Sequence, residues 1–417
     1  MKIDSIKFYL KNSAITHNMY TRLKKMLYSN KFTTYDENFI LPLQDNTNGY
    51  RINLVLPSLR KAGVFGGAMT AIKFFLELNK SLNINNGRII ITGPDRYDSQ
   101  FTFPIKDYSY NSDQNGIVFL SESNRLRVRK DDIFICTFWT TAFYFYSVLD
   151  WQITTYNLAQ RKLVYLIQDY EPYFYPWSTE YVLSESTYNH SDSTIAVFNS
   201  PELYNYFHIN DYFFYEELFF SPSLNDKLKN ILLSVKDNVH PRKKRIVIYG
   251  RPFEARNAFG LIYGALKLWS SVYQDAANWE IISLGDNFED LELSNNRIVA
   301  LGKLSLEEYC KMLLSSYAGI SLMISPHPSY PPLEMSTFGV RTITNSYKTK
   351  DLSTFNENVY SLNELTSKTI CDMLVKLCDE YSTVQTKVIT SGDYIEGNDF
   401  EHVIKCTAKC LRKIECL

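Results

Sequence analysis

The sequence predicts an α/β protein made of two doubly wound parallel-sheet domains that face each other across a cleft. Three observations carry that reading. Short apolar runs rich in Ile, Val and Leu recur along the chain, separated by stretches with helical spacing. The rhythm breaks once, in the charged stretch from Leu224 to Lys244, and restarts at Arg245. Several runs close on a turn residue, such as Pro57 or Gly250, with a helical stretch just beyond, as strand–helix units of a parallel sheet do.

Taken in order, the elements are these. Up to about Asn48 the chain is polar and aromatic-flecked, with room for one or two helices. The first strand runs from Tyr50 to Pro57. A loop with Gly63, Gly66 and Gly67 leads to a helix from about Met69 to Asn79. Strands follow at Arg88–Gly93, Gly116–Leu120, Asp132–Thr137, Lys162–Gln168 and Thr194–Phe198. The second set comprises Ile246–Tyr249, Glu280–Gly285, Arg297–Gly302, Ala318–Met323 and Val340–Thr344. An amphipathic helix, Phe400 to Ile414, ends the pattern. The expected division is 1–223 as the acceptor-binding domain with its extension, 224–244 as a linker, and 245–395 as the nucleotide-binding domain. The remaining 396–417 is a helix free to cross back to the first domain.

Composition narrows the function. The 417 residues are 45% hydrophobic and 21% charged, so large cores can be filled and the chain is not a disordered one. With 44 basic and 45 acidic residues it lacks the basic excess of a general nucleic-acid binder. The seven cysteines contain no C-x-x-C pair, and only six histidines are present, which argues against a zinc site. The start, Met1-Lys2-Ile3-Asp4, is not that of a signal peptide, and no run reaches the length of a membrane span, so a cytoplasmic setting is expected. Aromatics are abundant, 31 Tyr and 26 Phe, and cluster at Phe143–Tyr146, Tyr170–Trp177 and Tyr204–Phe220. Packing accounts for such clusters by default, and a sugar-stacking surface is the alternative.

Four constellations fall at the carboxyl ends of strands, where ligands of open α/β sheets lie. Gly250-Arg251 with Arg256 combines a strand end, two guanidinium groups and a helix start, a combination suited to a diphosphate. Pairing with surface carboxylates is the plainer alternative for these arginines. Gly302-Lys303 closes another strand, with Ser305 and Glu308 as a capping box for the next helix. The run Ser325-Pro326-His327-Pro328-Ser329-Tyr330-Pro331-Pro332 is rigid and leads into a helix beginning near Pro332, with Glu334 in its first turn. Gly66-Gly67 opens the first domain, where a backbone without side chains lets a ligand approach closely. It has neither the G-x-G-x-x-G nor the G-K-[ST] spacing of nucleotide loops. After the strand Lys162–Gln168, the acids Asp169 and Glu171 are expected to look into the cleft as acceptor-activating groups, or else to cap a helix.

The order of these phrases resembles that of the GT-B glycosyltransferases of family 4, and most nearly the WsaF-like rhamnosyltransferases that use dTDP-L-rhamnose. The phrases are Val64-Phe65-Gly66-Gly67-Ala68, Gln168-Asp169-Tyr170-Glu171-Pro172, Phe198-Asn199-Ser200, Tyr249-Gly250-Arg251-Pro252 and Pro328-Ser329-Tyr330-Pro331-Pro332-Leu333-Glu334-Met335. The resemblance covers roughly residues 50 to 415. It implies two Rossmann-like domains and transfer of a deoxysugar, L-rhamnose from dTDP-L-rhamnose, to a hydroxyl of a rhamnose-containing cell-surface glycan. Other readings are a transferase using a UDP- or GDP-hexose, a non-catalytic glycan-binding module, and an epimerase of the same fold. Carried over by position, Arg251 and, within one residue, Arg256 hold the donor diphosphate, and Lys303 is added from the reading above. Glu334 holds the ribose, Tyr330 lines the same loop, and Gly66, Gly67 and Gly250 approach the donor. Asp169 and Glu171 remain the candidates for acceptor activation. One departure stands out. The family's first loop acid should fall near Pro326, and no acid lies between Ser325 and Pro332. No cofactor or metal beyond the donor is expected, since no D-x-D motif follows a strand. A lipid-linked acceptor, a peripheral membrane contact and a homodimer are left open.

Overall fold

The computed structural model describes residues 35–59, 67–95, 116–236, 241–381, 386–397 and 399–415. The N-terminal prelude up to residue 34 and Gly66 of the glycine loop lie outside them.

In the first domain the chain runs through β1 (Leu41–Asp45), β2 (Arg51–Leu56), α1 (Gly67–Leu82), β3 (Gly87–Ile91), β4 (Gly116–Phe119), β5 (Arg125–Arg129) and β6 (Asp132–Cys136). It continues with α2 (Trp139–Tyr156), β7 (Leu163–Ile167), α3 (Thr179–Ser186), β8 (Thr194–Phe198), α4 (Pro201–Ile209) and β9 (Glu216–Phe219). The second domain has α5 (Asp226–Val235), β10 (Lys243–Gly250), α6 (Phe259–Val272), β11 (Glu280–Gly285), β12 (Leu291–Glu292) and β13 (Arg297–Gly302). After these come α7 (Leu306–Ser315), β14 (Ser316–Ile320), α8 (Tyr330–Thr337), β15 (Arg341–Asn345), β16 (Val359–Leu362) and α9 (Ser367–Asp379). Two helices close the chain, α10 (Asp393–Glu396) and α11 (Asp399–Glu415).

Two seven-stranded sheets form, ordered β4-β3-β2-β6-β7-β8-β9 and β12-β13-β11-β10-β14-β15-β16. All pairs are parallel except the edge pair β12–β13. In each sheet the strand order reverses direction beside its first long strand, at β2/β6 and at β10/β14. Such switch points leave a crevice at the strands' carboxyl ends. Helices cover both faces because the central strands are apolar on both. In β2, Ile52, Leu54 and Leu56 enter one core cluster and Val55 enters the other. In β10, Ile246 and Ile248 face one cluster and Val247 the other.

The opposite, amino ends of the first sheet are fixed by a buried ion network. Arg51 donates to Asp132 through Nε at 2.7 Å, the residue directly across the β2–β6 register, and Arg88 Nε donates to Asn53 Oδ1 at 2.6 Å. Unpaired burial of any of these charges would be costly, so the network pins the register.

The stretch expected to be a linker, 224–244, differs from that reading. Its middle is α5, and Leu224, Leu228 and Leu232 pack in the second domain's core with Val247 and Leu313. The charges around these leucines hid a helical apolar stripe. The terminal α11 packs against α1 and β9 of the first domain, with Val403, Ile404, Ala408 and Leu411 buried in that core. Four of the cysteines, Cys136, Cys310, Cys371 and Cys378, are buried free thiols. Among the described residues no helix is long and apolar enough to cross a membrane.

Candidate active site

The carboxyl ends of β7 and β10 meet. The Gln168–Glu171 turn of the first domain contacts the turn after Gly250, and a 3-10 turn at Ala255–Asn257 presents Arg256. Arg256 Nη1 lies 3.2 Å from Asp169 Oδ2, and its guanidinium sits 4.3 Å from the ring centre of Phe174. Ser325, midway along the loop after β14, donates its hydroxyl to Asp169 Oδ1. Asp169 also accepts from its neighbour's Tyr170 N–H at 2.9 Å. Burial raises the Asp169 carboxyl above its ordinary range, while Arg256, Ser325 and Lys350 pull it back.

Lys350, from the loop after β15, completes this cluster. Its ammonium donates to the Met323 carbonyl at 2.5 Å, and burial lowers it to about 7 against the opposing pull of Asp169 and Glu202. His327 lies buried in the proline loop. Its Nδ1 accepts from Ser329 N–H at 3.0 Å, so the neutral ring carries its proton on Nε2, and that Nε2 has no partner among the described residues. Burial, with Lys350 and Arg256 adding to it, holds the imidazole down near 3. Ser329 itself has φ 69°, a strained backbone for a residue with a side chain, steadied by that bond to the imidazole.

A second group lies on the other side of the same turn. Arg251 Nη2 reaches Glu254 at 3.1 Å and its Nε reaches Asp286 at 3.3 Å. Tyr249 feels the opposing charges of Arg251 and Glu334, so both groups lie within electrostatic reach of one side chain. Glu334 accepts from the Tyr309 hydroxyl at 2.9 Å, and burial pushes its carboxyl up to about 7. Tyr330 lies close to Thr70 of α1, and Thr349 donates its hydroxyl to the Glu202 carbonyl at 2.7 Å, a further bridge between the domains. A Cβ at Gly250 would stand 2.0 Å from Ser283 Oγ, so any larger residue here forces that side chain to move. Gly67 starts α1 against the side chain of Gln168, where a Cβ would come within 2.6 Å of Oε1.

Two expectations need correction. Glu171 is turned away from the cleft: its carboxylate accepts from Trp139 N–H at 2.5 Å and from the Tyr165 hydroxyl at 3.0 Å, closing the start of α2. Burial pushes that carboxyl up to about 8. A helix with unsatisfied N–H groups is an obvious partner for a buried acid, and it captures this one. Glu334 lies in the second turn of α8 rather than the first, because the helix starts at Tyr330 with its prolines in the opening turn. Lys303 is exposed just past β13, which β11 separates from β10. Sequence reasoning missed Lys350 and the roles of Ser325 and Phe174. Lys350 sits in no motif, and only its position after a strand end could have flagged it.

Two facing doubly wound domains whose strand ends meet across a crevice are the arrangement of the GT-B fold. Models of the WsaF N-terminal and C-terminal domains match residues 51–201 and 244–375, more than half of the chain, and the protein belongs to the WsaF family. The O-antigen biosynthesis protein RfbC of Myxococcus xanthus is 30% identical over 235 residues, which cover 54% of this chain. The match spans only 16% of that much longer protein. Among solved structures, trehalose-6-phosphate synthase OtsA is similar over 88% of this chain and 99% of its own, with a TM-score of 0.53 at 10% identity. The sucrose-phosphate synthase of Thermosynechococcus elongatus is similar over 88% of this chain and 97% of its own, with a TM-score of 0.50 at 10% identity. At such identities the likeness is one of fold.

Proposed function

We propose that this protein transfers a deoxysugar, L-rhamnose from dTDP-L-rhamnose, to a hydroxyl of a rhamnose-containing cell-surface glycan. The observation that carries the reading is the meeting of Arg256 with Asp169 where the carboxyl ends of β10 and β7 face each other. Membership of the WsaF family and the O-antigen relative support a surface-glycan acceptor.

The chemistry follows from charge. Cleaving a glycosyl–phosphate bond leaves negative charge on the departing diphosphate, and fixed cations stabilise it in the transition state. Arg251 and Arg256 flank the turn that the diphosphate occupies, and Lys303, exposed past the end of β13 two strands away, is the third candidate cation. Glu334 accepts hydrogen bonds from the ribose. His327 Nε2–H, unpaired and neutral, donates to an oxygen of the transferred group where relatives carry an acid. The bound diphosphate displaces Asp169 from Arg256. Losing that cation makes Asp169 more basic, so donor binding prepares it to take the acceptor proton. On this reading no metal is required.

Incubating the protein with dTDP-L-rhamnose and rhamnose-ended oligosaccharides tests it, with products read by mass spectrometry. A mass gain of one deoxyhexose per acceptor is expected. Transfer from UDP- or GDP-hexoses in place of dTDP-rhamnose would change the donor, and acceptor-independent isomerisation would replace the reaction. Absence of all of these, with retained glycan binding, would make the chain a binding module.

A further inference from the structure

The first domain carries an aromatic feature that the donor chemistry leaves unused. Trp177 is 91% exposed. An indole offers a large, rigid apolar face with a polar edge, the kind of surface that gains most when a ligand covers it. Its ring lies 5.1 Å from that of Tyr181 at an angle of 33°. The local sequence builds this pair: Ser178 caps α3 by accepting the Tyr181 N–H at 3.3 Å, which sets Trp177 just before the cap and Tyr181 one turn along.

The pair is continuous with the cleft. Trp177 stands three residues beyond Phe174, the ring beneath Arg256. Tyr181 lies within electrostatic reach of Tyr173, and the Tyr173 ring packs 4.7 Å from that of Tyr170, the neighbour of Asp169. The Tyr173 ring is 6.1 Å from that of Tyr347 in the second domain. A row of rings thus runs from open solvent to the contact between the domains. Polar groups edge it. Glu180 accepts from Tyr35 at 3.2 Å, and Glu185 accepts from Tyr170 at 3.0 Å. One flat apolar face rimmed by hydroxyls and carboxylates matches a sugar ring, whose C–H face is apolar and whose edge is hydroxylated. It suits a protein or membrane surface poorly, since those need a larger continuous apolar area and the acids repel anionic headgroups.

We propose that Trp177 and Tyr181 form a platform on which a sugar of the acceptor glycan stacks, upstream of the hydroxyl that reacts. This deepens, and rests on, the transferase reading. The test uses the full chain, Trp177→Ala and Trp177→Phe, with rhamnose acceptors of one to four sugars. Trp177→Ala should raise the acceptor KM about tenfold for the tetrasaccharide and leave the monosaccharide unaffected, as losing one aromatic contact would. Trp177→Phe should recover most of that loss, and the donor KM and kcat should stay within twofold. Equal acceptor KM values for Trp177→Ala and the unaltered chain at every length would overturn the platform, as would a change in donor KM matching that for acceptor. Titration of the tetrasaccharide without donor separates the two claims. Loss of that binding in Trp177→Ala supports the platform even if dTDP-rhamnose proves not to be the donor, and unchanged binding overturns it.

Discussion

Replacing Arg256 with alanine tests the centre of the proposed mechanism. The side chain holds three positions at once: it faces Asp169 at 3.2 Å, lies over Phe174 at 4.3 Å, and follows the strand end that meets the diphosphate. A hydrogen bond to a charged group contributes about 1.5–3 kcal/mol, and a guanidinium that makes one or two of them in the transition state supplies about 2–4 kcal/mol. Arg256→Ala should therefore lower kcat/KM roughly 30- to 1,000-fold. Stability should fall less, by about 1–3 kcal/mol, because Asp169 keeps the Ser325 hydroxyl and the Tyr170 N–H and can protonate. Steady-state transfer assays and urea melts measure the two effects separately. Adding Asp169→Asn to Arg256→Ala removes the orphaned acid, so stability should return while transfer stays lost. Transfer within threefold of normal in Arg256→Ala would refute the reasoning. Recovery of activity in the double variant would reduce Arg256 to a neutraliser of Asp169.

Glu171→Gln should flatten the pH dependence of stability. An acid raised to about 8 in the fold contributes fully below its ordinary value of 4.5 and loses that contribution as pH climbs toward 8, on the order of 4 kcal/mol. Melts at pH 5 and pH 8 should converge in the variant, and parallel curves for the two proteins would contradict the assignment. Gly250→Ala should destabilise by about 1–3 kcal/mol through the clash with Ser283 Oγ at 2.0 Å. Adding Ser283→Ala should restore the melting temperature, and failure to do so would place the cost elsewhere. Glu334→Gln should weaken dTDP binding about tenfold, seen as a reduced thermal shift with dTDP, if its carboxylate accepts from the ribose. An undiminished shift would remove the ribose role.

The strands were legible because their signal is local. Ile246–Tyr249 and Leu163–Ile167 are apolar on both faces, as only strands buried between two helix layers are. Helix caps were legible too: Ser305 and Glu308 form the expected capping box. The first reading failed where a local signal competed with another. In α5, lysines and aspartates around Leu228 and Leu232 looked like a linker, and only a neighbouring core reveals the apolar stripe. At Glu171 an acid beside a cleft looked functional, but the nearby start of α2 offered N–H groups that hold it inward.

By itself the sequence determined the central parallel strands of the two sheets and the turns at Gly250 and Ser325, because periodicity and turn chemistry act over a few neighbouring residues. The edge strands β9, β12 and β16, short and half exposed, carry too weak a pattern. Tertiary structure decided which charges meet. Asp169 and Arg256 are 87 positions apart, and Asp169 and Ser325 are 156 apart. No pattern along the chain encodes those pairs. They exist because two independently wound sheets present their carboxyl ends to each other, and because a buried acid between them is stable only where a cation and a hydroxyl arrive from the opposite domain.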